Sequence, residues 1–390
     1  MSRTFLRLSL PLLSLLCLIP LTPASAEEPP LRDPANLSLR NEVRLAIDKG
    51  LAYLKKEQNA DGSWGGKDPL HAAITALPLM AFHGEPQGAY RGNDTPEFMR
   101  KGYAFLRTLA KPDGGIYNED FECVNTAIAM MALMGPNDPQ DGQLLAKANQ
   151  FLIKMQNANG AVASFDGGFS YGPGMENRQW GDLHNTVCAL EALRTYEALE
   201  RPGSDKLNWD AAIGFINRCQ NLSSHNKEAW VSDDAENKGG YVYSPMSSTA
   251  GDKEVPGRHR RVLLSYGSMT YAGVLCLVYS GVDSTDPRIA AALDWTAKNY
   301  SVEENPRLGK QGLYLYYNLM ANALATANVD AFTLPDGRKV NWAKDLAVKL
   351  ISLQKNDGTW VNDNSRWLEN DPTLVTSYAL VALDMISRRL

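Results

Sequence analysis

The chain repeats one helical pattern six times, and that periodicity restricts its fold more than any single motif does. The segment AIDKGLAYLKKEQNADGSW (46–64) has a counterpart in WAKDLAVKLISLQKNDGTW (342–360): an amphipathic helix, then Gln, then Asp-Gly, then Trp. Ile47, Leu51 and Leu54 fall at helical spacing in the first, and Leu346, Leu350, Ile351 and Leu353 in the second. Asp61-Gly62 and Asp357-Gly358 end the helix and turn the chain, because glycine takes positive φ without steric cost. Each turn leads to a second helix poorer in charge, HAAITALPLMAF (71–82) and PTLVTSYALVALDMI (372–386). Between them the same unit recurs, with second helices CVNTAIAMMALMG (123–135), HNTVCALEALRTYEAL (184–199), GSMTYAGVLCLVYSG (267–281) and QGLYLYYNLMANALATA (311–327). A short hairpin over Phe332 to Val340, around Pro335-Asp336-Gly337, precedes unit six.

The first helix of each unit has a charged face and belongs outside; the second is apolar or small nearly all round and belongs inside. Six such units close into an all-α (α/α)6 toroid, a two-layered barrel over 41–390. An open superhelix would need polar capping repeats, and unit six ends in an apolar helix up to Ile386.

The ends and the composition narrow the class. Residues 1–26 pair a basic start (Arg3, Arg7) with an apolar run broken by Pro11 and Pro20 and then Ala24-Ser25-Ala26, the pattern of a Sec signal. Export to the periplasm or beyond follows, with no membrane span left after cleavage. Residues 27–40 read as an extended leader. Net charge is −5 and no basic stretch interleaves with aromatics, which excludes nucleic acid as a partner. Cys188 and Cys276 lie in apolar helical runs and read as buried thiols; the pairing of Cys123 and Cys219 stays open.

The strings QNADGSW and QKNDGTW match the Gln-x-x-x-Gly-x-Trp repeat of squalene–hopene and oxidosqualene cyclases, so 41–390 resembles one toroid of that superfamily. It is also similar to the β subunit of protein prenyltransferases. Units one and six carry the strict motif; unit three has Gln156 and Gly160 but Val162 in place of Trp, and unit two has Asp113-Gly114-Gly115. In the family the Gln and Trp are surface staples between units. The resemblance therefore gives Gln58, Gly62, Trp64, Gln354, Gly358 and Trp360 a structural role. The cyclases have two toroids, and this chain has room for one.

Inner-helix N-termini favour anions and carboxylates, so the polar residues there are the candidate site. Aligned on a shared Thr, they are His71 to Thr75, Glu122 to Thr126, Asp182 to Thr186, Tyr266 to Thr270 and Pro372 to Thr376. The cyclases protonate an alkene with Asp-x-Asp-Asp-Thr at this position. Here the string is Asp182-Leu183-His184-Asn185-Thr186, in which His and Asn replace the two central carboxylates. The prenyltransferases hold zinc with Asp-x-Cys and a His, which points to His71, Cys123, Asp182 and His184 as a zinc set. The candidate catalytic residues are Asp182, His184 and Glu122. The candidate cavity-lining residues are His71, Cys123, Asn125, Asn185, Ser268, Tyr271, Tyr314 and Tyr317. The competing structural reading is helix capping by Asp182 and Ser268, hydrogen bonding between inner helices by the asparagines, and a packed tyrosine cluster.

The insert of unit four, 221–266, carries Tyr241, Tyr243 and the basic run Arg258-His259-Arg260-Arg261, with Asp233, Asp234 and Glu236 as ion-pair candidates. Two functional readings stand. One is an exported toroid acting on an isoprenoid or other apolar ligand in a central cavity, as a squalene-cyclase-like isomerase or lyase or a prenyltransferase-like transferase. The other is a non-catalytic binding or scaffold protein on the same fold. A third, a carbohydrate-active enzyme, would need paired carboxylates, for which Glu122 and Asp182 are available.

Overall fold

The structure, a computed structural model, describes residues 36–66, 69–92, 95–158, 162–172, 180–199, 206–255 and 261–390. Six helix pairs run through them: α1 (Leu37–Lys56) and α2 (His71–Gly84), α3 (Glu97–Thr108) and α4 (Glu122–Met134), α5 (Gly142–Met155) and α6 (Leu183–Ala198), α7 (Trp209–Arg218) and α8 (Gly267–Tyr279), α9 (Pro287–Lys298) and α10 (Leu313–Thr326), α11 (Trp342–Leu353) and α12 (Pro372–Ser387). Each even-numbered helix packs on the next, and α12 packs back on α2. The six make a closed inner ring, and the odd-numbered helices lie outside it. This is the (α/α)6 toroid that the repeat implies. Two antiparallel ribbons decorate it: β1 (Asp252–Glu254) with β2 (Arg261–Leu263), and β3 (Phe332–Thr333) with β4 (Lys339–Val340), the latter at the expected hairpin.

Burial sorts the two layers as the charge pattern requires. Inner helix α8 buries every residue but Val278. Outer helix α3 buries only Met99, Gly102, Tyr103 and Leu106, one stripe at helical spacing. Each large apolar side chain so buried contributes about 1.5–3 kcal/mol.

The repeat is more complete in space than along the chain. In five units a turn glycine sits at positive φ against the outer helix of the next unit: Gly62, Gly114, Gly167, Gly239 and Gly358. A Cβ on Gly358 would lie 2.5 Å from the Lys49 carbonyl oxygen of α1, so unit six closes on unit one through the same contact. Two residues on, a backbone N–H donates to the shared threonine of the inner helix. The pairs are Trp64 to Thr75, Ile116 to Thr126, Phe169 to Thr186, Tyr241 to Thr270 and Trp360 to Thr376, at 2.9–3.2 Å. In four units the glutamine side chain spans two units. Gln58 donates to Gly62 and Phe98, Gln156 to Gly167 and Asn208, Gln220 to Gly239 and Arg288, and Gln354 to Gly358 and Ala46.

Three sequence expectations are corrected here. The motif glycine and aromatic of unit three are Gly167 and Phe169, not Gly160 and Val162; Gly160 itself lies outside the described residues. Unit four carries the motif as Gln220, Gly239 and Tyr241, with the part of its insert over 221–238 placed between Gln and Gly. Trp64 and Trp360 are fully buried rather than on the surface, and their indole N–H groups donate to Leu54 and Leu350 at 2.6 and 2.8 Å.

Helix α1 begins at Leu37, four residues earlier than the toroid boundary read from sequence. Residues 1–35, where the Sec signal and most of the leader are expected, lie outside the described residues, as do Arg258, His259 and Arg260. Arg261 pairs with Asp252, while Asp234 and Glu236 pair with Lys253. Cys123, Cys188, Cys219 and Cys276 are all free thiols. No helix among the described residues is long and apolar enough to cross a membrane.

Candidate functional site

The inner-helix N-termini gather at one end of the ring, and protein groups already occupy their donors. The Asn125 side chain accepts from Ala73 of α2 at 3.0 Å. The Tyr171 carbonyl takes Cys123 N–H of α4, and the Tyr243 carbonyl takes Leu183 N–H of α6, both at 2.9 Å. Asn305 and Pro306 take the first N–H groups of α8. The Glu369 carboxylate accepts from Leu315 of α10 at 2.8 Å, and Asp371 caps α12. Five of the six caps include a group from the following unit. The free helix ends that make an anion site are therefore used up in holding neighbouring units together.

Asp182 is the N-cap of α6. It accepts from the backbone N–H and the side-chain amide of Asn185, both at 2.8 Å. The Tyr243 hydroxyl donates to it, and Tyr243 in turn pairs with Tyr171 at 2.8 Å. Burial outweighs these hydrogen bonds and pushes the Asp182 carboxyl up to about 6. Asn185 folds back on Asp182 rather than reaching the axis. Glu122 is buried beneath Gly172, where a Cβ would overlap its carboxylate, and its Oε2 has no hydrogen-bond partner among the described residues. Cys123 lies within electrostatic reach of Asp182 and Glu122, and burial pushes its thiol well up.

The proposed zinc set does not assemble. Among the described residues no three of His, Cys, Asp and Glu come together as a metal-ligating group. The reason is orientation. His71 packs tilted against Phe105 of outer helix α3, with ring centroids 5.0 Å apart, and lies within electrostatic reach of Asp61 in the turn before α2. His184 faces the axis, and Asp182 is spent on its cap.

Most of the expected cavity lining is packing. Asn125 ties Pro69, Ala73 and Asp120 together. Ser268 is not the cap of α8; it is held by Asn305 from unit five. Tyr271 and Tyr317 both pack on Tyr316, and Tyr314 is edge-on to Tyr317. Tyr317 donates to the Val302 carbonyl beyond α9, away from the axis. All three tyrosines are buried, so the packed-cluster reading holds for them.

The axis itself holds a cavity of about 70 Å³, bounded by all six inner helices. Its polar wall is His184, Cys188 and Glu191, at helical spacing on one face of α6, with Asn318 and Asn322 from α10 and Tyr378 from α12. Leu77, Met80, Met131 and Leu319 fill much of the rest. Burial pushes the Glu191 carboxyl up, against hydrogen bonds from Tyr279 and Asn322, the latter at 3.3 Å. Burial also pushes the His184 imidazole down to about 4, leaving it neutral at pH 7. Of the candidate catalytic and cavity-lining residues read from sequence, only His184 lines this cavity among the described residues. Glu191 was missed, although it stands seven residues after His184 on the same face.

No protein-family model matches the chain. A lanosterol synthase of Aspergillus fumigatus, erg7A, is 33% identical over 136 residues, which is 31% of this chain and 17% of that enzyme's length. Among solved structures, the type II terpene cyclase MstE from Scytonema overlays with a TM-score of 0.56 at 12% identity, covering 90% of this chain and 99% of its own. The α-1,6-mannanase GH76A of Salegentibacter sp. HEL1_6 overlays with a TM-score of 0.56, also at 12% identity, covering 89% and 99%. The fold is the squalene-cyclase-like α/α toroid. The equal likeness to a mannanase means that the fold does not choose the reaction.

Proposed function

We propose that this chain is an exported toroid of squalene-cyclase type that serves as a non-catalytic binding or scaffold protein. The observation that carries this reading is the filled axis. The axial cavity of about 70 Å³ compares with the roughly 300–1,000 Å³ of ordinary ligand sites. A polyene does not fit beside His184 and Glu191 without displacing Met80, Met131 or Leu319.

The test is to incubate the purified chain with squalene, oxidosqualene and a geranylgeranyl-substituted phenol and to analyse the products by mass spectrometry. No cyclised product is expected; any that tracks the protein overturns the reading. The second reading, acid-initiated cyclisation, is favoured by one observation: Asp182 holds its proton up to about pH 6 under a tyrosine that donates to it. Under that reading a product forms and Asp182→Asn abolishes it.

Export rests on the sequence of residues 1–26. Protein recovered from the periplasm or medium is expected to begin at Glu27, read by N-terminal sequencing. A chain that keeps residues 1–26 would refute a cleaved signal.

A further inference from the structure

A second cavity lies away from the axis, at the opposite end of the ring from the capped helix N-termini. It has a volume of about 610 Å³ and sits where the first half of α1 crosses the C-terminal ends of α2 and α12. Four guanidiniums face it: Arg40 and Arg44 of α1, Arg91 of the loop after α2, and Arg388 at the end of α12. The single carboxylate in the lining is Glu85, whose oxygens accept from the backbone of Gln87 and Ala89 at 2.9 and 2.8 Å. The wall therefore carries a surplus of three positive charges in a protein whose net charge is −5.

The helix ends account for part of this charge. Arg91 donates to the carbonyls of His83, Gly84 and Glu85 and so closes the C-terminus of α2. Arg40 donates to the Leu390 carbonyl at 3.2 Å. Arg44 and Arg388 have no hydrogen bond or ion pair among the described residues; Arg91 forms no ion pair there either, though it feels Asp384 and Glu85. Arg44 lies in the first half of α1, so the C-terminus of its own helix does not account for it. The positive field is visible at its edge: burial, Arg91 and Arg388 together push His83 down to about 4. Asp384 lies behind the wall, where it interacts with Arg388 and Arg91 while burial pushes its carboxyl well up. The remainder of the lining is apolar, with Leu37, Val43, Ile47 and Pro86 along one side.

We propose that this cavity is a binding site for an amphiphilic anion, in which a phosphate or carboxylate head is held by Arg44, Arg91 and Arg388 and an apolar portion lies along Leu37, Val43 and Ile47. The guanidinium forks of Arg44 and Arg388, which make no ion pair among the described residues, match the paired oxygens of either head group, and Arg91 adds its charge beside them. The volume falls within the range of small-ligand sites. The site is independent of the axial cavity and of whether the toroid is catalytic.

Calorimetric titration of the exported chain with octyl phosphate, octanol and inorganic phosphate tests it. Octyl phosphate is expected to bind with a Kd below about 100 μM, with octanol and inorganic phosphate each at least about tenfold weaker. Raising salt should weaken octyl phosphate binding. The double variant R44E/R388E should lose about tenfold or more in affinity with an unchanged Tm, since both side chains are exposed and unpaired; R44A supplies a milder second variant. Co-sedimentation with phosphatidylglycerol vesicles that the double variant loses identifies the head group as a lipid's. Octyl phosphate binding without vesicle binding identifies a soluble amphiphile. Absence of octyl phosphate binding, or equal binding by wild type and both variants, overturns the proposal.

Discussion

Asp182 is the residue at which structure and chemistry pull in different directions. As the cap of α6 it is an acceptor that the helix needs, yet at 2% exposure it is a poor place for a charge. Its folded-state value of about 6 lies above the ordinary 3.8, so folding favours its protonated form. The stability this confers is fully present below about pH 4 and is lost as pH rises through 6. Two pKa units correspond to about 3 kcal/mol. Asp182→Asn keeps an acceptor for Asn185 N–H and removes the titration. Denaturant melts should show the difference between variant and wild type moving in the variant's favour by about 3 kcal/mol from pH 4 to pH 7. A difference that does not change with pH would contradict the assignment. His184 works in the opposite sense, losing stability as pH falls from 6.5 to about 4, so the variant should also weaken more steeply in acid.

At the level of the element, the structure is held by turns and caps that reach into the next unit. Gly358 has φ 91°, and a side chain there meets the Lys49 carbonyl. Gly358→Ala is expected to cost about 2 kcal/mol or more, measured by chemical denaturation. Gln354→Ala removes the donor shared by Ala46 and Gly358 and should cost about 1–2 kcal/mol. Helix α10 starts at Gly312, which has no side chain to cap it, and takes its acceptor from Glu369 instead. The turn that delivers Glu369 passes through Trp367 and Leu368, both non-glycine residues at positive φ. Strain of about 1–3 kcal/mol per residue is tolerated where surrounding contacts hold it. Here Trp367 lies on Gly312, and Asn362 donates to Glu369 at 2.6 Å. Glu369→Ala should destabilise by about 1–3 kcal/mol, and much more than Glu369→Gln, which keeps an acceptor.

For the whole molecule, closure is the decisive property. A stack of units with free ends melts from its ends; a ring in which α12 packs on α2 and unit six pins α1 has none. Unfolding followed by far-ultraviolet circular dichroism and by fluorescence of the buried Trp64 and Trp360 should therefore give coincident transitions. Deleting 372–390 removes α12, uncovers the apolar flanks of α2 and α10, and should yield an unfolded or aggregated chain rather than a five-unit toroid. A soluble, cooperatively folded product would argue against ring-wide coupling.

The sequence by itself determined the number of units, the layer to which each helix belongs and the hairpin before unit six. Those features follow from periodicity, which is local and survives insertion between units. It also marked the shared threonines, because their spacing from each inner-helix start is constant. Gly167 and Phe169, and then Gly239 and Tyr241, were hidden because insertions separate them from Gln156 and Gln220, and spacing was the only guide to them. The tertiary structure alone decided where polar groups point. It turned His71 outward, consumed the inner-helix ends in caps from neighbouring units, and set Glu191 on the axis. It also gathered four arginines from three distant segments around one cavity. Such placements depend on contacts between residues far apart in the chain, and no short-range pattern encodes them.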